Sequence, residues 1–328
     1  MNAVSLYVFT VATIGCIFAI GSLGLNMRYG WTGNLDLSFY MFVALGAYIQ
    51  GVLTLPKATH PAVTSYVLGL SLPFPVGVLG AMAVCAATSL LLGAIALRRL
   101  RSDYFAIVTI VTTLIVYAVI QQFDPLFNGY VGLYNVPQPL IAVLPVQVYP
   151  VFLFGVCAAC LAATYVVAEL LFRSPFGRAL RAAREDEVAT EAFGRNVYSL
   201  KLRAFAISGA VAGLSGALLI TWLSAWNPSG WSPIEVLLLY AAVFVGGTGN
   251  NRGVVLGAIL IFVVVQELSR FLPLPAALQT QSAVLQNIVV AVLIAITIWI
   301  RPQGVLPEPR AKFPSQDAPR DQLSADGT

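Results

Sequence analysis

The sequence predicts an all-α polytopic membrane protein with about nine transmembrane helices. Three observations lead there. The mean hydropathy is +0.84. Of the 328 residues, 59% are hydrophobic and only 10% are charged. The apolar residues also fall in long continuous runs. A soluble fold of this length cannot bury so much apolar surface, so most of it must meet lipid or other apolar helices. A bilayer core of ~30 Å needs roughly 20 residues of helix, whereas a membrane β-barrel would show short alternating segments.

Spans are read near 3–25, 37–55, 75–97, 104–123, 147–171, 203–223, 234–249, 254–272 and 283–300. The first has no basic n-region and no cleavage signature, so it reads as a membrane helix rather than a signal peptide. Asn34, Asp36 and Ser38 open the second, where broken backbone could line a cavity or Asp36 could sit in the favourable field of the helix N-terminus. Arg98, Arg99 and Arg101 close the third, and Asp103 starts the fourth with the same dipole reading. Pro175 and Gly177 stop the fifth. The sixth carries Gly209, Gly213 and Gly216 at small-residue spacing, as Gly253 and Gly257 do in the eighth, which predicts close helix packing. Glu267 and Arg270 are one turn apart and read as a pair.

These residues exclude several functions. Cys16, Cys85, Cys157 and Cys160 all lie inside apolar runs, and CAAC at 157–160 has no histidine or charge beside it. They read as small packing residues. His60 is the single histidine, so no catalytic set, metal site or cofactor is predicted. GGTGNNRG (246–253) lacks the ending of a phosphate-binding loop. Ionisable groups are nearly absent from the span interiors, which argues against a proton- or sodium-coupled carrier.

The basic residues orient the chain. With Arg98–Arg101 inside, only Lys57 and Arg270 of the 18 basic residues fall outside, which is the bias expected of cytoplasmic loops. The N-terminus is then out and the C-terminus in. Residues 1–306 form the membrane domain, and 307–328 read as a disordered cytoplasmic tail. The net charge of +4 therefore marks a membrane face and implies no nucleic acid.

One loop is too charged to be a mere connection. Residues 173–203 follow a Ser174-Pro175 break, and from Arg178 to Phe193 there is no Gly or Pro until Gly194 offers a stop. This predicts one surface helix. Ala179, Ala182, Ala189 and Phe193 fall on one side; Arg178, Arg181, Arg184, Glu185, Glu187 and Glu191 fall on the other, with Leu180 and Val188 among them. Such a helix could insert into a partner's groove, or could be a solvated loop held by pairs such as Arg181–Glu185.

SPFGRALRAAREDEVATEAFG (174–194) resembles the cytoplasmic coupling segment of the membrane subunits of branched-chain amino acid ABC importers. LRRLRSDYFAIVT (97–109), KLRAFAISGAVAGLSGALL (201–219), VFVGGTGNNRGVVLGAIL (243–260) and IRPQGVL (300–306) are similar to further segments of that family. The resemblance implies an ABC permease fold and a transport subunit that hydrolyses no ATP itself. It implies as partners a second permease subunit, two ATPase subunits and a solute-binding protein. It places ATPase coupling on Ser174, Pro175, Gly177, Arg178, Arg181, Arg184, Glu185, Glu187, Glu191 and Gly194. Candidate pathway residues are Asn34, Asp36, Ser38, Tyr104, Asn128 and Gly129. NLDLS (34–38) is nearer to sugar-type permeases, and 127–139 differs from the family's usual glycine-rich pattern. Branched-chain or other apolar amino acids lead as the solute, with urea, amides or a sugar as alternatives, and a stand-alone carrier or channel as the rival function.

Overall fold

The structure is a computed structural model that describes residues 3–57, 68–99, 102–228, 231, 235–265, 288, 291–292, 294–297, 299–301 and 303–308. His60, Arg101, Glu267, Arg270, the side chain of Asp103 and residues 309–328 lie outside this set, as does half of the expected span at 283–300.

Helix α1, Ala3–Leu25, runs on through a π-helical turn at Asn26–Gly30. After an irregular stretch come α2 (Phe39–Thr54), α3 (Phe74–Arg99), α4 (Ser102–Gln122) and the single turn α5 (Asp124–Phe127). Then follow α6 (Tyr149–Arg173), α7 (Pro175–Glu185), α8 (Glu187–Ala192), α9 (Val197–Leu223), α10 (Glu235–Gly246) and α11 (Asn251–Ile259). The helical class predicted from hydropathy is the observed one. Among the described residues five helices are long and apolar enough to cross a membrane: Val4–Gly30, Phe74–Arg98, Tyr104–Gln122, Tyr149–Arg173 and Val197–Leu223. Phe39–Thr54, Glu235–Gly246 and Asn251–Val263 are shorter. At 1.5 Å per residue the 16 residues of α2 reach only about 24 Å, which falls short of a hydrocarbon core of ~30 Å.

Helix α9 is the centre of the bundle. Of its apolar window 83% is buried, against 22% for α4 and for α6, so α9 meets protein where the other two present side chains outward. It packs on α1, α2 and α3, while α1 also packs on α6, α10 and α11. Small residues permit this closeness. A Cβ on Gly213 would stand 2.7 Å from the Ala81 carbonyl oxygen, and one on Gly216 would stand 2.8 Å from the Ala47 nitrogen. Gly209 meets α3 at the Cys85 carbonyl, and Gly253 and Gly257 meet α10 at Gly246. The cysteines are free thiols, with Cys85 and Cys157 buried, and Cys85 Sγ donates to the Phe42 carbonyl at 3.3 Å.

The end of the bundle away from the 173–203 loop is closed by irregular chain. Leu133 and Trp226 exchange backbone hydrogen bonds at 2.7 and 2.8 Å, and Val136 N–H reaches Ser224 O at 3.0 Å. Asn128 and Gly129 both have positive φ, and Asn128 Nδ2 donates to Gly132 O at 2.5 Å. Residues 128–132 are therefore a built turn.

Gly216→Ala should destabilise the folded chain by about 2 kcal/mol, because the added methyl meets α2 backbone that cannot yield. Gly155, whose Cβ would meet nothing within 4 Å, is the control. Thermal unfolding in detergent should show a lowered midpoint for Gly216→Ala and none for Gly155→Ala. Equal midpoints would contradict the α2–α9 contact.

Candidate functional site

Most of the described charged side chains gather at one end of the bundle, where α1, the 31–38 stretch, α7, α8 and the α10–α11 loop meet. At its heart lies Arg28, carried by the π turn and 0% exposed. Its Nη1 pairs with Asp36 Oδ2 at 2.5 Å, both side chains being fully buried. Nε donates to Ser208 Oγ at 2.7 Å. Nη2 donates to Ser89 Oγ and to the Phe205 carbonyl at 3.1 Å. The rings of Phe205, Phe42 and Phe39 stand 4.3, 4.8 and 5.4 Å from the guanidinium carbon. Asp36 is equally engaged. Its Oδ1 accepts from Ser38 N and Oγ at 2.8 and 2.6 Å. The Tyr240 hydroxyl accepts from Asp36 N–H and donates to Asp36 O, each at 2.9 Å.

The charges cancel, and every group is bonded. That is the condition under which an ion pair survives burial. The pair ties α1 to α2, α3, α9 and α10. Arg28 thus lies in the helical core, and Asp36 faces protein on all sides.

Around this core runs a second shell of clasps. Lys201 Nζ, at the start of α9, bonds Asn34 Oδ1 at 2.9 Å and Glu187 Oε1 at 2.5 Å. Asn26 accepts from Gly249 N–H at 2.9 Å and donates to Asn251 Oδ1 at 3.1 Å. Asn251 in turn donates to Glu169 Oε2 at 3.1 Å, and Arg173 pairs with Glu169 at 2.7 Å.

The loop is helical as expected, but not as one helix. Ser174 caps α7 by accepting from Gly177 N–H, and Asp186 ends it in an extended conformation while capping α8 through Ala189 N–H. An aspartate whose side chain competes for backbone N–H groups can start a new helix without Gly or Pro. The faces are also turned from the expectation. Leu180 and Ala183 are buried and Arg184 is largely so, whereas Ala182, Ala189 and Phe193 are exposed. Arg181 lies over the Phe172 ring at 4.1 Å, and Arg184 donates to Gly30 O. Hence Arg181 and Arg184 bind within the chain rather than project from it, and Glu187 is held by Lys201. Arg178, Glu185 and Glu191 remain exposed. So do the apolar Val188, at 78%, and Phe193, at 87%. Gly194 follows with φ +76°, and its N–H closes the helix end on Glu191 O at 2.8 Å.

The pathway candidates do not converge. Asn34, Asp36 and Ser38 are buried at the charged end, Asn128 and Gly129 form the turn at the other end, and Tyr104 is 62% exposed on α4. Sequence reasoning missed Ser89, Lys201, Ser208 and Tyr240. The signal for Ser208 is a lone hydroxyl among apolar residues, whereas Ser89 is masked by the neighbouring Thr88. Among the described residues no three His, Cys, Asp or Glu side chains gather as a metal site would require.

Residues 7–298 match the family described as branched-chain amino acid transport system, permease component. The chain belongs to that family. The LivM permease of the high-affinity branched-chain amino acid transport system of Salmonella typhimurium is 32% identical over 95% of this chain and 73% of its own length. Its Escherichia coli counterpart is 32% identical over 92% and 71%. A probable LivH permease of Methanocaldococcus jannaschii is 26% identical over 87% and 86%. No solved structure matches the chain. The family and the apolar helices make this a membrane protein of permease type.

Removing one member of the buried pair should be costly. Asp36→Leu and Arg28→Met each leave a charge uncompensated in the core, worth about 3–5 kcal/mol. The double variant, which removes both charges, should recover much of that loss. Yield and melting of the detergent-solubilised protein measure this, and a double variant worse than the sum of the singles would refute the pairing.

Proposed function

We propose that the chain is a permease subunit of an ATP-driven ABC importer for branched-chain or other apolar amino acids. One observation supports this most. A short segment that resembles the family's coupling segment is clasped to the bundle on one face and offers unpartnered apolar side chains, Val188 and Phe193, on the other. Large apolar groups so exposed on a charged loop suit a partner's groove. In this reading paired ATPase subunits receive Val188 and Phe193 while Glu185 and Glu191 supply the polar rim. A second permease subunit, as the LivM and LivH names suggest, completes the path, and a solute-binding protein delivers the amino acid outside. The loop 173–203 is cytoplasmic.

The solute follows from the relatives' names and from the mostly apolar bundle. Among the described residues the fully buried ion pair that a stand-alone carrier could use is Arg28–Asp36. That pair is neutral as a whole and bonded on all sides, so it offers no site for a moving proton or ion.

Two experiments test the proposal. Leucine uptake into proteoliposomes should require ATP, the ATPase subunits and the binding protein together; uptake by this chain alone would establish the carrier instead. In that assembly Phe193→Asp should lower uptake by about 10- to 100-fold, as loss of an anchor worth a few kcal/mol does, with membrane abundance unchanged. Full uptake would remove the docking role. Orientation is checked separately in a background without native cysteines. Glu191→Cys should react with an impermeant maleimide only after the cells are opened, and labelling of intact cells would reverse the topology.

A further inference from the structure

The segment 305–308 is bonded to the C-terminal end of α10 and to the α10–α11 loop. Val305 N–H donates to Val245 O at 2.8 Å and Leu306 N–H to Gly246 O at 3.0 Å, while Asn250 Nδ2 reaches Pro307 O at 2.9 Å. The glycines of the two motifs interlock. Gly247 (φ +118°) and Gly304 (φ +74°) pass so closely that a Cβ on Gly304 would stand 2.5 Å from Gly247 N. Pro307 and Glu308, expected from sequence to begin a loose tail, are therefore fixed.

From this base Glu308 reaches across to α7. Its Oε2 is 2.6 Å from Arg184 Nη2 and its Oε1 is 3.9 Å from Arg181 Nη1, with Arg184 23% and Glu308 22% exposed. Arg184 also holds Gly30 O on the π turn. The site is shaped for this contact. A Cβ on Gly249 (φ +79°) would fall 2.7 Å from Glu308 Oε2, and one on Gly33 (φ +76°) would fall 2.9 Å from Arg184 Cγ.

We infer that Glu308 is a positioning residue that latches α7, through Arg184, to the π turn of α1 and the α10–α11 loop, so that displacement of α7 moves both. The transport consequence rests on the reading of 174–194 as the coupling segment; the latch itself does not. An exposed pair would transmit little. This one is largely shielded from water, and its arginine bonds a second element at the same time, so α7 cannot shift without breaking both bonds or carrying both elements along.

Two readouts on the full-length chain test the latch. Amide hydrogen exchange in residues 177–185 should quicken about 10-fold in Glu308→Gln and in Arg184→Gln, and the double variant should be no faster than Arg184→Gln, because both variants break one contact. Glu308→Asp should restore slow exchange in large part. In the assembled transporter, Glu308→Gln should lower leucine moved per ATP hydrolysed by about 10-fold while ATP hydrolysis persists. Unchanged exchange in Glu308→Gln would overturn the latch, whereas quickened exchange with an unchanged ratio of leucine to ATP would overturn its consequence for transport. Uptake by the wild-type chain without ATPase subunits would instead strike the importer reading, leaving the exchange result to judge the latch.

Discussion

Everything at the charged end hangs on the burial of Arg28. A guanidinium at the margin of a membrane helix is costly unless its charge is balanced and its N–H groups are used. Asp36 supplies the charge; Ser89, Ser208 and the Phe205 carbonyl supply acceptors; three phenylalanine rings supply faces. These partners come from the irregular stretch before α2, from α2 itself, and from α3 and α9, and Tyr240 of α10 holds Asp36 in turn. One cation thereby fixes where several helices meet. The π turn follows from the same need. It widens the last turn of α1 and carries Asn26 and Arg28 together, one to the α10–α11 loop and the other into the core.

The outer clasps extend this logic toward the surface. Lys201 joins α8 to the 31–38 stretch, and Arg184 joins α7 to the π turn. Both helices of the surface segment are thus tied within a few residues of the Arg28–Asp36 pair. A permease driven from outside its own chain needs such a connection, because force applied at a loop is otherwise spent in bending it. The break at Asp186 separates the two duties: α7 carries the buried Leu180 and the inward arginines, and the stretch beyond it carries the exposed Val188 and Phe193.

Hydropathy made the helical class and the long spans legible, because apolar length alone specifies them. Small-residue spacing likewise located the contacts of Gly209, Gly213 and Gly216. Among the described residues the expected spans at 37–55, 234–249 and 254–272 hold helices shorter than a full crossing, and a run of apolar letters does not reveal where the backbone before α2 turns irregular. In the surface segment the stop at Gly194 is local and legible, but the helix expected from Arg178 in fact starts at Pro175 and includes Gly177. Its inner break and its facing were not legible. Asp186 acts through a side-chain bond that competes with helix continuation, and the facing is decided by Phe172 together with Gly30 and Glu308, the last two far away in the chain. The bonding of Arg28 is illegible for the same reason: its acceptors are spread over 180 residues, and only Asp36 is near.

That nearness governs the order of assembly. Arg28 and Asp36 are eight residues apart, whereas Ser89 and Ser208 follow Arg28 by 61 and 180. During synthesis the cation meets its counter-charge almost at once, long before its remaining acceptors exist. The first hairpin can therefore enter the bilayer as an electrically neutral unit, and α3 and α9 arrive later to complete the bonding of a charge already balanced. A nascent chain lacking Asp36 would have to hold a bare guanidinium at the membrane margin through the synthesis of most of the protein.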